Sequence, residues 1–168
     1  MIQIGQQIPE FEVDALIGHD VEGKIKSNDL KGKWVCLYFY PLDFTFVCPT
    51  EIQAFSDATP DFEDRDCVVL GGSCDSVFSH LGWVKVKDEL KDLKHPLISD
   101  YKKELSSALG ILDHEKGVSQ RATLLIDPDG IVRFIYVTDL NVGRSPDEVL
   151  RVLDALQTDE LCPCNWQK

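Results

Sequence analysis

Six cysteines, at positions 36, 48, 67, 74, 162 and 164, are the residues of this chain best suited to covalent chemistry. No two of them form a C-x-x-C, so neither a zinc ribbon nor a dithiol redox motif is spelled out. Six thiols in 168 residues fall well below the density of a disulfide scaffold, and a chain of this length can bury enough core to fold without staples. In a reducing compartment such thiols are either small buried apolar side chains or reactive groups. Cys36 and Cys67 lie inside apolar runs and read as core, while Cys74 follows the end of one of those runs. Cys48 differs. It stands in Pro41-Leu42-Asp43-Phe44-Thr45-Phe46-Val47-Cys48-Pro49-Thr50-Glu51, after an apolar strand and directly before a proline suited to the first turn of a helix. The free amides and positive dipole end at a helix start stabilise a thiolate, and cysteines so placed have pKa values lowered from about 8.5 to about 3.5–7.5. Thr45 offers a hydroxyl able to bond the sulfur or an oxygen attached to it, and Pro41 can shield the pocket from water. Spacing alone leaves two readings open: a nucleophilic thiol, or a small residue at a helix start among aromatic core residues.

The elements that must hold this segment follow from the apolar pattern. Trp34 to Tyr40 is a continuous apolar run ended by Pro41, the mark of a strand buried on both faces; Asp66 to Ser73 and Ala122 to Asp127 are two more. Pro128-Asp129-Gly130 then turns the chain into Ile131–Val137, which predicts a β-hairpin. Phe11 to Leu16 reads as an edge strand or hairpin. Helices are expected from Cys48 to a point before Pro60, after Asp75-Ser76 with Val77, Leu81 and Val84 on one face, and over about 102–109 with Gly110 as the stop. The last is expected after Ser145-Pro146-Asp147-Glu148, where Ser145 caps and Glu148 completes a capping box, with Val149, Leu150, Leu153 and Leu156 facing the core. With a short strand around Leu97-Ile98-Ser99, strands alternating with helices and closed by an antiparallel hairpin predict an α/β sandwich with a mixed sheet. The length fits one domain.

Charge narrows the function classes. Seventeen basic against 29 acidic residues give a net charge of −12 and a pI near 4.6, which argues against a binder of nucleic-acid phosphates. Met1 to Gln7 carries no basic stretch followed by an apolar one, and no apolar run is long enough to span a membrane. The expected setting is the cytoplasm, with no membrane partner.

Pro41-x-x-x-Thr45-x-x-Cys48 is the P-x-x-x-T-x-x-C pattern of the peroxiredoxins, and Phe44 to Glu51 resembles its most common version closely. Asp66 to Ser76 is similar to the strand leading to that family's D-S turn, and Ser79-His80-Leu81-Gly82-Trp83 to its next helix. Arg121 to Gly130 resembles its arginine-bearing strand and turn, and Asp139 to Ser145 the segment before its last helix. Leu161-Cys162-Pro163-Cys164-Asn165-Trp166 resembles the V-C-P-x-x-W box. The nearest branch is the bacterial alkyl hydroperoxide reductase group known as AhpC, made of typical two-cysteine peroxiredoxins.

The resemblance implies a thioredoxin-like domain over residues 1–157 and a tail, 158–168, carrying the resolving cysteine. It implies Cys48 as peroxidatic cysteine, with Pro41, Thr45 and Arg121 completing the pocket and Glu51 and Arg144 holding Arg121 or standing as solvated helix-end charges. Independently of the family, a fixed cation near the sulfur favours thiolate, and its fork can orient a peroxide oxygen. Hydrogen peroxide or an organic hydroperoxide would oxidise Cys48 to a sulfenic acid. Cys162 of a partner subunit would resolve it, which makes a homodimer obligatory, assembling to a decamer or other ring of dimers. No cofactor or metal is implied, and the two sulfurs of Cys162 and Cys164 alone cannot fill a tetrahedral zinc site. Cys164 departs from the box and could relay the disulfide to a reductase of the AhpD type, the AhpF type or thioredoxin. Lys91 to Pro96 lacks the G-G-L-G insertion of hyperoxidation-sensitive relatives, and no Tyr-Phe follows Trp166, so resistance to overoxidation is expected. A redox relay or chaperone using the same cysteine is the alternative. A thioredoxin-like disulfide reductase is weakened by Glu51, which stands where C-x-x-C would place its second sulfur.

Overall fold

The computed structural model describes residues 1–158 and 160–168. Its frame is a seven-stranded mixed sheet in the order β2-β1-β5-β4-β3-β8-β9. The strands are β1 (Glu12–Ile17), β2 (Asp20–Lys26), β3 (Trp34–Phe39), β4 (Cys67–Ser73), β5 (Leu97–Ser99), β8 (Arg121–Ile126) and β9 (Val132–Thr138). A two-residue pair, β6 (Leu112–Asp113) and β7 (Val118–Ser119), sits apart from it. The helices are α1 (Cys48–Glu63), α2 (Val77–Val86), α3 (Glu104–Leu109) and α4 (Pro146–Leu156). The expected alternation and closing hairpin are all present, and the early segment resolves as the antiparallel hairpin β1–β2.

The central strand shows why a continuous apolar run forms here. Successive side chains point to opposite faces of a sheet, and both faces of β3 are covered. Cys36, Tyr38 and Tyr40 join one cluster with Ile52, Phe55 and Phe62 of α1, Trp83 of α2 and Val149 and Leu153 of α4. Val35, Leu37 and Phe39 join a second cluster with Leu105 and Leu109 of α3. Fully burying one such side chain contributes about 1.5–3 kcal/mol, so an odd–even pair on β3 ties both layers to the sheet. β3 runs parallel to β4 and antiparallel to β8, with Tyr38 opposite both Gly71 and Thr123. The start of β8 therefore lies beside the carboxyl end of β3, from which the chain leads into α1.

Three helix expectations are corrected. α1 does not stop before Pro60 but continues to Glu63 with the proline inside it. Pro60 withholds one N–H from the ladder, and Thr59 donates its hydroxyl to the Phe55 carbonyl at 2.9 Å; burial of Phe62 beyond the proline outweighs the loss. α3 starts only at Glu104, because Lys103 is left-handed (φ 60°) and Asp100 takes over as cap, accepting from the Leu105 and Ser106 amides at 3.0 and 2.7 Å. At α4 the capping box does not form. Ser145 makes no side-chain cap bond, and Glu148 instead grips Arg151 in two bonds of 2.7 and 2.8 Å. A charge-assisted bidentate pair is stronger than one bond to a backbone amide. Among the described residues no helix is long and apolar enough to cross a membrane.

Candidate active site

The segment from Pro41 to Val47 crosses from the end of β3 to the start of α1, and a buried polar network fixes its path. The Tyr40 hydroxyl donates to Asp43 Oδ1 at 2.8 Å, and His80 Nδ1 lies 2.7 Å from Asp43 Oδ2. The Asp43 amide donates to Asp75 Oδ2 at 2.9 Å, an oxygen that also accepts from the Ser73 hydroxyl at 2.6 Å. His80 Nε2 faces the Ile98 carbonyl at 3.1 Å. One loop is thus tied to the ends of β4 and β5 and to α2. Phe44 takes a left-handed conformation (φ 58°) within it, an uncommon backbone for a bulky residue that the surrounding bonds hold in place. Sequence reasoning missed this network; the available signal was the pair of acidic residues, Asp43 and Asp75, bordering apolar segments.

Cys48 is the first residue of α1, and its side chain is fully buried. Val47 is the N-cap residue and has no side-chain cap, so nothing but the backbone competes for the free amides there. Pro41 is buried at the head of the loop. Thr45 differs from expectation: its hydroxyl donates to the Leu42 carbonyl at 2.9 Å, bracing the loop rather than bonding the sulfur. A hydroxyl with its proton so engaged still has lone pairs free to accept.

Charge arrives from β8 and from the residue before Ser145. Arg121 opens β8, and its Nη1 donates to Cys48 Sγ at 3.3 Å and to Glu51 Oε2 at 2.5 Å. Its Nε donates to the Leu140 carbonyl at 2.6 Å, which fixes the plane of the guanidinium. Glu51, one turn into α1 from Cys48, also accepts from Arg144 Nε at 2.8 Å and Nη2 at 3.0 Å. Arg144 Nη1 donates to the Ala122 carbonyl at 2.9 Å and to Thr123 Oγ1 at 3.2 Å. All three charged side chains are at most 4% exposed. The alternative of solvated helix-end charges is thereby removed for Glu51 and Arg144. Two guanidiniums and one carboxylate leave a single surplus positive charge in a buried pocket, with the Cys48 sulfur against it.

The other cysteines divide as the sequence suggests. Burial pushes the Cys36 thiol well above its ordinary pKa, the Cys67 thiol up to about 12 and the Cys74 thiol upward as well. Cys162 is half-buried against the last turn of α4, its Sγ 3.8 Å from the Ala155 carbonyl and 3.5 Å from Thr158 Oγ1, while Cys164 is exposed. Neither contacts Cys48 within the chain. The tail is docked on α4: Arg151 Nη1 donates to the Trp166 carbonyl at 3.0 Å, and Lys168 Nζ lies 3.5 Å from Asp154. Asp159, in the tail expected to move, lies outside the described residues. Among the described residues no three His, Cys, Asp or Glu side chains converge as a metal-binding group.

Residues 4–135 match the AhpC/TSA family. The chain belongs to that family. An alkyl hydroperoxide reductase C from Mycolicibacterium smegmatis is 48% identical over all of this chain and 91% of its own. The structure of Mycobacterium tuberculosis AhpC superposes with a TM-score of 0.91 at 47% identity, covering 99% of both chains. A reduced 2-Cys peroxiredoxin from Plasmodium vivax does so with a TM-score of 0.93 at 42% identity, covering 98% of this chain and 89% of its own. The mixed sheet flanked by helices is the thioredoxin-like fold of this family, and the chain is an oxidoreductase, a thiol-dependent peroxidase.

Proposed function

We propose that this peroxidase reduces hydrogen peroxide and organic hydroperoxides at Cys48. The observation that carries the reading is the 3.3 Å contact from Arg121 Nη1 to Cys48 Sγ inside a buried cluster whose surplus positive charge an anionic sulfur balances. The thiolate attacks the terminal peroxide oxygen, an S–O bond forms as the O–O bond breaks, and the departing alkoxide or hydroxide takes a proton to leave as alcohol or water. Cys48 is left as a sulfenic acid, two electrons more oxidised. Arg121 and the free amides at the start of α1 stabilise negative charge spread over both oxygens during displacement. Thr45, through its unused lone pairs, accepts a hydrogen bond from the incoming peroxide, and Pro41 closes the pocket to water.

Resolution joins the partner subunit's Cys162 to Cys48, with water leaving as the S–S bond forms. The tail segment that carries Cys162 is released from α4 so that the sulfur can travel, and the first turn of α1 unwinds to expose Cys48. Dimers follow from this step, and they assemble into a decamer or another ring. Cys164 takes over the disulfide from Cys162 and presents it to a dithiol reductase of the AhpD, AhpF or thioredoxin kind. Recharging by such a reductant fits the reducing cytoplasm.

The experiment is non-reducing gel mobility after one equivalent of peroxide. The parent shifts to a disulfide dimer. Cys48→Ser and Cys162→Ser stay monomeric, and Cys164→Ser still dimerises but is recycled more slowly by an added dithiol reductase. A Cys48→Ser protein that consumes peroxide and dimerises like the parent would overturn the reading.

A further inference from the structure

Behind the Glu51 cluster lies a second layer that the peroxide chemistry has not used. The Arg144 guanidinium carbon sits 5.4 Å from the centroid of the Tyr38 ring and 5.9 Å from that of Phe55. The two rings stack on each other, centroids 4.1 Å apart and planes 11° from parallel. Four of the five Arg144 guanidinium donors are engaged by Glu51, Ala122 and Thr123, and the aromatic pair packs beside the group. With near-parallel rings 4.1 Å apart, these two distances place the guanidinium carbon beside the edge of the stack, where close packing limits how far it can shift.

The Tyr38 ring is itself held from its far end. Its hydroxyl oxygen lies 2.7 Å from His95 Nε2, and His95 Nδ1 lies 3.4 Å from Thr59 Oγ1. Thr59 spends its own proton on the Phe55 carbonyl at 2.9 Å, so toward His95 it can only accept. The hydrogen of the imidazole is therefore on Nδ1, and Nε2 accepts from the tyrosine. Burial holds His95 neutral, its pKa down to about 3, which agrees with this arrangement. The phenol reaches His95 across Gly71 of the neighbouring strand, where a Cβ would stand 2.5 Å from the Tyr38 oxygen. Tyr38, His95 and Gly71 thus form one fitted unit running from a surface pocket lined in part by His95 to the side of Arg144.

We propose that Tyr38, oriented by His95, is a positioning residue for the peroxide reaction: its ring packs beside Arg144 and holds that guanidinium in place, which through Glu51 sets Arg121 on the Cys48 sulfur. This rests on Cys48 being the nucleophile. Without the ring the Arg144 fork is free to tilt, and Glu51 Oε2, shared by both arginines, moves with it.

The test measures the second-order rate of Cys48 thiol loss to hydrogen peroxide by rapid quench with an alkylating reagent. Tyr38→Leu and Tyr38→Phe are compared in the parent and in an Arg144→Gln background. Tyr38→Leu is expected to slow the reaction at least tenfold and Tyr38→Phe two- to fivefold. In the Arg144→Gln background both losses shrink to less than twofold, because residues acting through one another are not additive. The Arg144 Nε–H resonance is expected to shift and exchange faster in Tyr38→Phe, a readout that needs no activity and survives if Tyr38→Leu does not fold. Parent-like rates in both variants, losses that multiply undiminished on Arg144→Gln, or an unmoved Arg144 resonance would each overturn the proposal. Failure of the parent itself to lose the Cys48 thiol to peroxide would instead overturn the assignment of the nucleophile.

Discussion

Glu51 is the residue on which two arginines converge. Its two oxygens accept four hydrogen bonds, one from Arg121 and three from Arg144, the last including the Arg144 backbone amide at 3.0 Å. A buried pair of this kind is weak evidence for stability, since desolvation offsets much of the attraction, but removing one partner leaves the others unpaired at a cost of about 3–5 kcal/mol. Glu51→Gln keeps the shape and removes the charge. It is expected to lower the unfolding free energy by an amount in that range, read from urea denaturation, and to slow sulfenic acid formation because Arg121 loses its anchor. A variant as stable as the parent would mean that the two guanidiniums find other acceptors. By contrast, Cys36 and Cys67 contribute volume alone, as their burial and raised pKa values imply.

At the scale of elements, α1 has two tasks that pull in opposite directions. Its first turn holds Cys48, fully buried, and has to open in the resolution step proposed above, whereas its far end is anchored by Phe55 and Phe62 in the core. The stretch between the short helical turn at Asp88–Leu90 and β5, residues 91–96, is only six residues long, and it touches α1 where the Lys94 amide donates to the Ser56 hydroxyl at 3.0 Å. Among the described residues no inserted loop packs there over the opening turn. Unwinding is therefore expected to keep pace with peroxide, so that intact mass after a tenfold excess shows disulfide and little sulfinic Cys48; conversion to the sulfinic form at a slight excess would contradict this. What was legible of these elements came from local pattern. The two-faced burial of β3, the start of α1 at Cys48-Pro49 and the Gly110 stop are each written in a few adjacent residues. The extension of α1 past Pro60 was not, because it depends on Phe62 meeting residues distant in sequence. Nor were the Glu51–Arg144 and Asp43–His80 contacts, which span 93 and 37 positions and leave no periodic trace.

For the whole molecule, acid brings opposing effects. A net charge of −12 is a source of self-repulsion that protonation toward the pI of 4.6 relieves. His95 works the other way. Its folded pKa, lowered to about 3 by burial, lies below the unfolded value of about 6.5, so between these limits the unfolded chain binds a proton that the folded chain refuses. The contribution is complete above the unfolded value and is withdrawn as pH falls toward the folded one, at about 1.4 kcal/mol per pH unit. Replacing His95 isolates it: Gln can accept from Tyr38 and donate to Thr59 but does not titrate. Urea denaturation at pH 7 and pH 5 should show the parent losing roughly 2 kcal/mol more than His95→Gln over that interval. The charge repulsion common to both proteins cancels in the comparison. If the two proteins follow parallel pH profiles, His95 takes up its proton alike in the folded and unfolded chain, and burial does not hold the imidazole neutral.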